Sequence, residues 1–242
     1  MRTGEVTCSG QSHISLQTNK GRQMLRMKRV HSETLRDEVY ALRYRAYRRE
    51  EAIDACPTER FTDTYDAQPN HIIWALTEHE RVIGSIRTTW YDPAHSWSIP
   101  EMEGYGEDVA RIVPQNMRIL SGNRFVTEPD QSSRSSLFAM LLLRYYMIVA
   151  HQRAEYALAA VRINHLPFYR RVLQLERASE GRTYPGLNST MFLTACPFQQ
   201  NIEQVYTRTP FLRPKGYERL LLDEQYRDMW EVGLPIEDQL LS

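Results

Sequence analysis

The longest apolar run in the chain, residues 137–150, follows a β-rich stretch at 119–128 and a polar Asp-Gln-Ser-Ser-Arg-Ser-Ser loop at 130–136. That order predicts a strand, a polar turn and a buried helix running to about Arg153. Upstream, Ser32 and Glu33 precede apolar Leu35, Val39, Leu42 and Tyr47, the pattern of a capped amphipathic helix whose polar side carries Arg36, Arg43, Arg45, Arg48 and Arg49. A short strand is predicted before it at 27–30. Segments 71–76 and 82–91, joined by Thr-Glu-His-Glu-Arg, predict an antiparallel hairpin. Alternation in its second strand puts Val82, Gly84, Ile86, Thr88 and Trp90 on one face, and Ile83, Ser85, Arg87 and Thr89 on the other.

Residues 92–115 read as loop-rich, with a short helix near 107–112. Beyond Arg153 come a compact strand at 156–161, a helix at 165–173 and strands around 176–182 and 190–195, with Pro185-Gly186 turning between the last two. A strand-helix-strand order of this length implies that the strands at 119–128 and 156–161 are parallel neighbours with a right-handed crossover. Residues 1–26, rich in Ser, Thr, Gln, Gly and Asn, are expected to form a mobile arm or lid, 27–197 one core domain, and 198–242 a helical extension packed on it, clearest at 217–232.

Charge adds little globally: thirty basic residues balance thirty acidic ones, which argues against a nucleic-acid partner. Cys8, Cys56 and Cys196 have neither disulfide-framework nor zinc-ligand spacing, and His71, His151 and His165 show no ligand pattern, so no metal site is expected. No signal-peptide core opens the chain, and the apolar run contains Arg144 and is too short to span a bilayer. A cytoplasmic protein with no integral membrane association is expected.

A strand passing through a serine-rich turn into a helix gathers unpaired N–H groups and the positive end of the helix dipole at one point, a natural anion site. A cation at a helix N-terminus is unfavourable, so the charge of Arg134 should answer something negative nearby. The same residues also fit a serine-capped structural helix with a solvated arginine. Arg87 and Arg124 fall on predicted strands, where a charge needs a partner.

The order of elements, with Asn-His-Leu-Pro-Phe-Tyr-Arg-Arg in the 165–173 helix, resembles the GNAT acyl-CoA N-acyltransferase-like fold. That resemblance implies an α/β (α+β) class, with a mixed central sheet whose parallel strands splay around a pantetheine thioester, flanked by helices. Gln131, Arg134 and Ser136 stand at the phosphate-loop positions where that fold commonly has Arg or Gln, then Gly, then Gly or Ala, and the lack of glycine suits a single carrier-protein phosphate better than a coenzyme pyrophosphate. Leu42-Arg43 with Tyr47, Asp63 and Asp66 with Tyr65 between them, Val82 to Arg87, and Arg124-Phe125-Val126 resemble more closely the acyl-homoserine-lactone (autoinducer) synthases and FeeM-type N-acyl amino acid synthases. Autoinducer synthases commonly carry an acid three positions before the Arg-Phe pair and a tryptophan in the adenosylmethionine pocket. Ser121 and Ile53 stand at those positions here. The resemblance therefore implies a FeeM-like reaction, with a long-chain acyl group moving from acyl carrier protein to the amine of an amino acid, tyrosine being one candidate. The acyl-phosphopantetheine is a co-substrate, and no cofactor is expected.

Aminolysis of a thioester needs a neutral amine, a fixed carbonyl and an oxyanion donor. By position, Glu128 is the candidate base, although it also fits an exposed turn residue before Pro129. Backbone N–H groups at Val126, Thr127 and Glu128 are the candidate oxyanion donors. Gln131, Ser133, Arg134, Ser135 and Ser136 are the candidate phosphopantetheine contacts. Arg43, Asp63, Asp66, Arg87 and Arg124 form either an amino-acid-binding cluster, with an arginine gripping the substrate carboxylate, or a network bracing the first helix against the sheet. The arginines of that helix could dock acidic carrier protein. Two other functions fit the same residues: a small-acyl GNAT N-acetyltransferase using acetyl-CoA, and a non-catalytic GNAT-fold binding module.

Overall fold

The computed structural model describes residues 25–129, 134–184, 186–216, 218, 222 and 232–234. Strands form one sheet in the order β6 (Glu176–Arg177), β8 (Thr190–Cys196), β5 (Tyr156–Val161), β4 (Ile119–Thr127), β3 (Arg81–Tyr91), β2 (His71–Glu78), β1 (Leu25–Arg29) and β9 (Val232–Leu234), with β7 (Arg182–Thr183) paired to β8. All pairings are antiparallel except β4 with β5, the parallel pair expected from the strand-helix-strand order. The mixed sheet with flanking helices is the predicted architecture.

Helix α1 (Glu33–Arg49) starts where its cap predicts: the Ser32 hydroxyl accepts from the Leu35 N–H at 3.2 Å. It lays Val39, Leu42 and Ala46 on Ile73, Ala75, Val82 and Val126. Arg43, assigned above to the polar side, is instead fully buried. Positions 39, 42, 43 and 46 make one continuous stripe, so Arg43 points inward with its apolar neighbours. Helix α3 (Ser135–Arg153) covers the opposite face, and the residues from Leu141 to Ala150 are all buried, as befits a helix apolar all round. It packs against Trp74, Leu76, Ile86 and Leu120, and its outer side is covered by Phe198, Val205 and Tyr206 of α5 (Phe198–Arg208) and by Leu212 and Leu222.

The hairpin strands run further than predicted and meet at His79 and Glu80, both at positive φ (48° and 62°), a tight two-residue connection. A register shift between Leu76 and Thr77 reverses the expected faces near the turn. Val82 joins the α1 side, while Ile83 joins Ile86 and Trp90 on the α3 side.

Helix α2 (Pro100–Ile112) begins seven residues before the predicted one, with Pro100 at its start, and breaks at Tyr105. It packs against β5 and β8 on the same face of the sheet as α1. Helix α4 (Leu166–Leu173) follows β5 as predicted.

The extension at 198–242 is not helical throughout, because β9 adds a strand antiparallel to β1. Most of the helix predicted at 217–232 and all but the last two residues of the predicted arm lie outside the described residues. Arg144, the one charge in the apolar run, donates from Nε and Nη2 to Glu218 at 2.7–3.0 Å and from Nη1 to the Phe211 carbonyl. That buried pair ties the C-terminal segment to α3. No helix among the described residues is long and apolar enough to cross a membrane.

Candidate active site

β4 and β5 run side by side for only three residue pairs, ending at Ser121 and Leu158. Past that point each strand keeps only its other neighbour, and a wedge opens between them. The divergence has a local cause in β4. Arg124 sits at φ 52°, in the left-handed region, and the register against β3 shifts between Ser85 and Arg87, so β4 carries a bulge where it leaves β5. A non-glycine residue held there stores about 1–3 kcal/mol of strain, maintained by its surroundings. Gly122, just before the bulge, lets α3 approach: a Cβ there would lie 3.0 Å from the Tyr146 ring. Tyr146 is buried to its hydroxyl, which has no hydrogen-bond partner, and burial holds its pKa far above the ordinary value.

On the α1 side, the five charged residues picked from the sequence form a single cluster. Asp66 takes both oxygens to Arg43 Nη1 (3.0 and 2.9 Å), and also faces Arg87 Nη1 at 2.9 Å. Asp63 accepts from Arg87 Nη2 at 2.9 Å and from Arg124 Nε and Nη2 at 2.9 and 2.6 Å. The short 3₁₀ turn Thr64–Ala67 fixes both acids: Asp63 caps it, and the Asp66 carboxylate accepts from the Asp63 N–H. Burial alone would raise both acid pKa values. The arginines outweigh it, so Asp63 and Asp66 are held below the usual carboxylate range. Arg124 lies over the rings of Phe61 (4.5 Å) and Tyr47 (5.7 Å). Three guanidinium groups against two carboxylates leave the cluster one positive charge in excess, and the Nε and Nη2 of Arg43 are buried without a hydrogen-bond partner.

The polar chain continues toward the wedge. Arg87 Nε donates to Asn123 Oδ1 at 2.5 Å, and Asn123 Nδ2 donates to Ser121 Oγ at 2.8 Å. Beside Ser121 lies a residue the sequence reading missed. Glu101, in the first turn of α2, is fully buried, and no guanidinium or ammonium bonds its carboxylate, beside which stand only the Ser121 hydroxyl and backbone N–H groups. Burial raises its pKa, and the Ser121 hydroxyl, nearby backbone N–H groups and the Arg87 charge offset this only in part. Tyr65, Tyr105, Tyr146 and Tyr184 all feel its charge. The signal in the sequence was Ile99-Pro100-Glu101, a proline and an acid at a helix start.

The other predicted site residues are placed as follows. Val126 and Thr127 stand in register with Ser85 and Gly84 of β3, and the Glu128 N–H donates to the Ile83 carbonyl at 2.7 Å. The Glu128 amide is therefore committed to β3 and does not serve as an oxyanion donor. Strand alternation turns the Thr127 N–H to the opposite edge, toward the wedge. The Glu128 carboxylate accepts from Arg45 at 2.6 Å and Arg81 at 3.4 Å. Arg134 caps α3, and the negative partner expected for it is Glu78 of β2, at 2.8 Å. Ser135 and Ser136 open α3, whereas Gln131 and Ser133 lie outside the described residues. Ile53 packs among Tyr105, Tyr184 and Leu187. Among the described residues no group of His, Cys, Asp or Glu is arranged to hold a metal ion.

Residues 38–197 match the family described as N-acyl amino acid synthase FeeM. No curated protein sequence matches the chain significantly. Among solved structures, FeeM, an N-acyl amino acid synthase from uncultured soil microbes, superposes with a TM-score of 0.60 at 16% identity, over 77% of this chain and 98% of that one. BjaI, a CoA-dependent acyl-homoserine lactone synthase with SAM and isopentyl-CoA, gives 0.55 at 16% identity, over 80% and 92%. The acyl-homoserine-lactone synthase LasI gives 0.53 at 15% identity, over 72% and 90%. At these identities the likeness to the solved structures is one of fold.

Proposed function

The chain belongs to the FeeM family of N-acyl amino acid synthases, enzymes of acyl transfer to an amine, and from that premise we propose that it moves a long-chain fatty acyl group from acyl carrier protein to the α-amino group of an amino acid. The observation that carries this reading is the wedge past Ser121 and Leu158, which has the form needed to hold an extended thioester arm between two strands. The polar residues on its α1 side suit a zwitterion. The excess positive charge of the arginine cluster attracts the substrate carboxylate, and Glu101 offers a negative group for the ammonium. The Thr127 N–H supports the developing oxyanion. The buried run of α3 supplies an apolar wall for a fatty chain.

The test is direct. Purified protein is offered acyl carrier proteins loaded with C8 to C18 chains and a mixture of the twenty amino acids, tyrosine among them, and products are read by mass spectrometry. N-acyl amino acids from the carrier-protein donor support the reading. Because BjaI is a CoA-dependent enzyme on this fold, a parallel arm offers acyl-CoA and acetyl-CoA. Turnover of those alone would replace carrier protein by coenzyme A as the donor.

Arg134 provides a finer check. A phosphate arriving at the start of α3 competes with Glu78 for the guanidinium. Arg134→Ala is expected to raise KM for acyl carrier protein roughly tenfold with kcat little changed, the signature of lost ground-state binding. Glu78→Gln, which removes the competitor, should lower it. Steady-state kinetics on both variants decide the point, and opposite shifts are the expected result.

A further inference from the structure

We propose that the Glu101 carboxylate, delivered from α2 to the point where β4 and β5 part, is the proton acceptor for the attacking amine. The inference rests on the acyl-transfer reading above and adds to it the residue that makes the nucleophile. A fully buried carboxylate with no cationic partner destabilises a fold, and each such group in a native structure calls for a reason. Glu101 has neither the guanidinium partners of Asp63 and Asp66 nor the capping bonds that fix them. It adjoins Ser121, the last β4 residue paired to β5, and the neighbouring N–H of Ala160 on β5, so it spans the strands at the point where they part. An ammonium entering the wedge supplies the charged partner that the fold withholds. Glu128 differs in its partners: Arg45 and Arg81 already occupy its carboxylate, one at 2.6 Å.

The chemistry balances without a further reactant. Glu101 takes one proton from the substrate ammonium, and the freed nitrogen lone pair forms the C–N bond at the thioester carbonyl. Collapse of the tetrahedral intermediate breaks the C–S bond and releases the pantetheine thiolate. The nitrogen gives up a second proton as the amide forms. Of the two protons lost by nitrogen, one ends on the thiol and the other leaves to solvent, which restores the carboxylate.

Burial raises the pKa of Glu101, which makes it a stronger base than an exposed glutamate. The groups that face it are Ser121 from β4, the Ala160 N–H from β5, Arg87 from β3, Tyr65 from the 3₁₀ turn, Tyr105 from its own helix, Tyr146 from α3 and Tyr184 from the segment before β8. Among these only Arg87 carries a permanent charge, and it is already spent on Asp63 and Asp66.

The experiment compares wild type with Glu101→Gln in the carrier-protein assay across pH 6.5 to 9.5, with melting temperature as the folding control. At pH 7 the variant should lose about 100-fold or more in kcat, the usual contribution of a general base, with KM for the acyl donor within threefold of wild type. The deficit should narrow to tenfold or less as pH approaches the amine's own pKa, because an amine that is already neutral needs no base. A purely structural glutamine effect would not vary in this way. Should Glu101→Gln fail to fold, Glu101→Asp keeps the carboxylate but withdraws it by one methylene, and a loss of about tenfold is expected. An active wild type with Glu101→Gln within threefold of it, or with a deficit constant to pH 9.5, overturns the proposal alone. A wild type that acylates no amine from any donor overturns the acyl-transfer reading and the proposal with it.

Discussion

Asp63→Ala should cost about 3–5 kcal/mol of folding stability, because it leaves Arg87 and Arg124 buried without the carboxylate that both share. In a chain of this size that corresponds to a fall of the melting midpoint by roughly 10 °C. The contrast with a surface pair isolates the cause. Arg60 donates to Asp37 in equally short bonds, but both side chains are exposed, and Asp37→Ala should leave the midpoint unmoved. The pH dependence follows from the direction of the shift. The Asp63 pKa is depressed in the folded state, so its contribution is complete above its unfolded value of about 3.9 and is lost only as pH falls below it. The difference between wild type and variant should therefore be flat from pH 8 to pH 5.5 and shrink in stronger acid. Glu101 works in the opposite sense. Its pKa is raised by burial, so any stability it contributes is complete below its unfolded value of about 4.3 and is lost as pH rises through the folded one. Chemical denaturation at three pH values separates the two behaviours. A midpoint for Asp63→Ala within 2 °C of wild type at pH 7 would show that the cluster carries no structural weight.

The second large effect is at Arg144 and Glu218. Glu218→Leu strands a guanidinium inside the apolar layer between α3 and the C-terminal segment, and a loss of about 3–5 kcal/mol is expected there too. Joint replacement, Arg144→Leu with Glu218→Leu, removes both desolvated charges and should recover most of that loss. The double-mutant cycle then measures the coupling, with the Phe211 carbonyl left as the one acceptor without its donor. If the double variant is no better than Glu218→Leu, the charge pair is not the reason the segment stays on α3. Both experiments use full-length protein and the same denaturation assay. Neither depends on knowing the substrate.

Local signals carried much of the fold. Ser32 as a cap, the all-apolar run of α3 and the strand-helix-strand spacing each state a preference that the tertiary structure keeps. The charged cluster was legible for a related reason. Charges on predicted strands demand partners, and Asp63, Asp66, Arg43, Arg87 and Arg124 are the ones that meet. Elsewhere the decisive contact was non-local. Val82 changes face because of a slip in the hairpin register, which alternation in one strand cannot report. Arg43 was given to the polar side because of its charge, although its spacing with Val39, Leu42 and Ala46 placed it in the buried stripe. Glu101 lay in a segment read as loop, and only packing of α2 onto β5 and β8 brings it to Ser121. Ser121 stands where the autoinducer synthases commonly carry an acid. The carboxylate is present at that place in space, contributed by a different element.

The pairing of β9 with β1, with Leu25 opposite Leu234, joins positions nearly the whole chain apart. Such a contact has the largest loop-closure entropy the molecule can show, so it belongs to the last stages of folding. As the chain is synthesised, β1 to β8 emerge before β9, and until then β9 does not pair with the outer edge of β1. During that interval the nascent chain presents an open row of strand N–H and C=O groups, the feature through which unfinished proteins associate edge to edge. Arrival of β9 pairs three positions of that edge and leaves a shorter strand outermost in its place. The order of synthesis thus sets a window of vulnerability that lasts until β9 has left the exit tunnel.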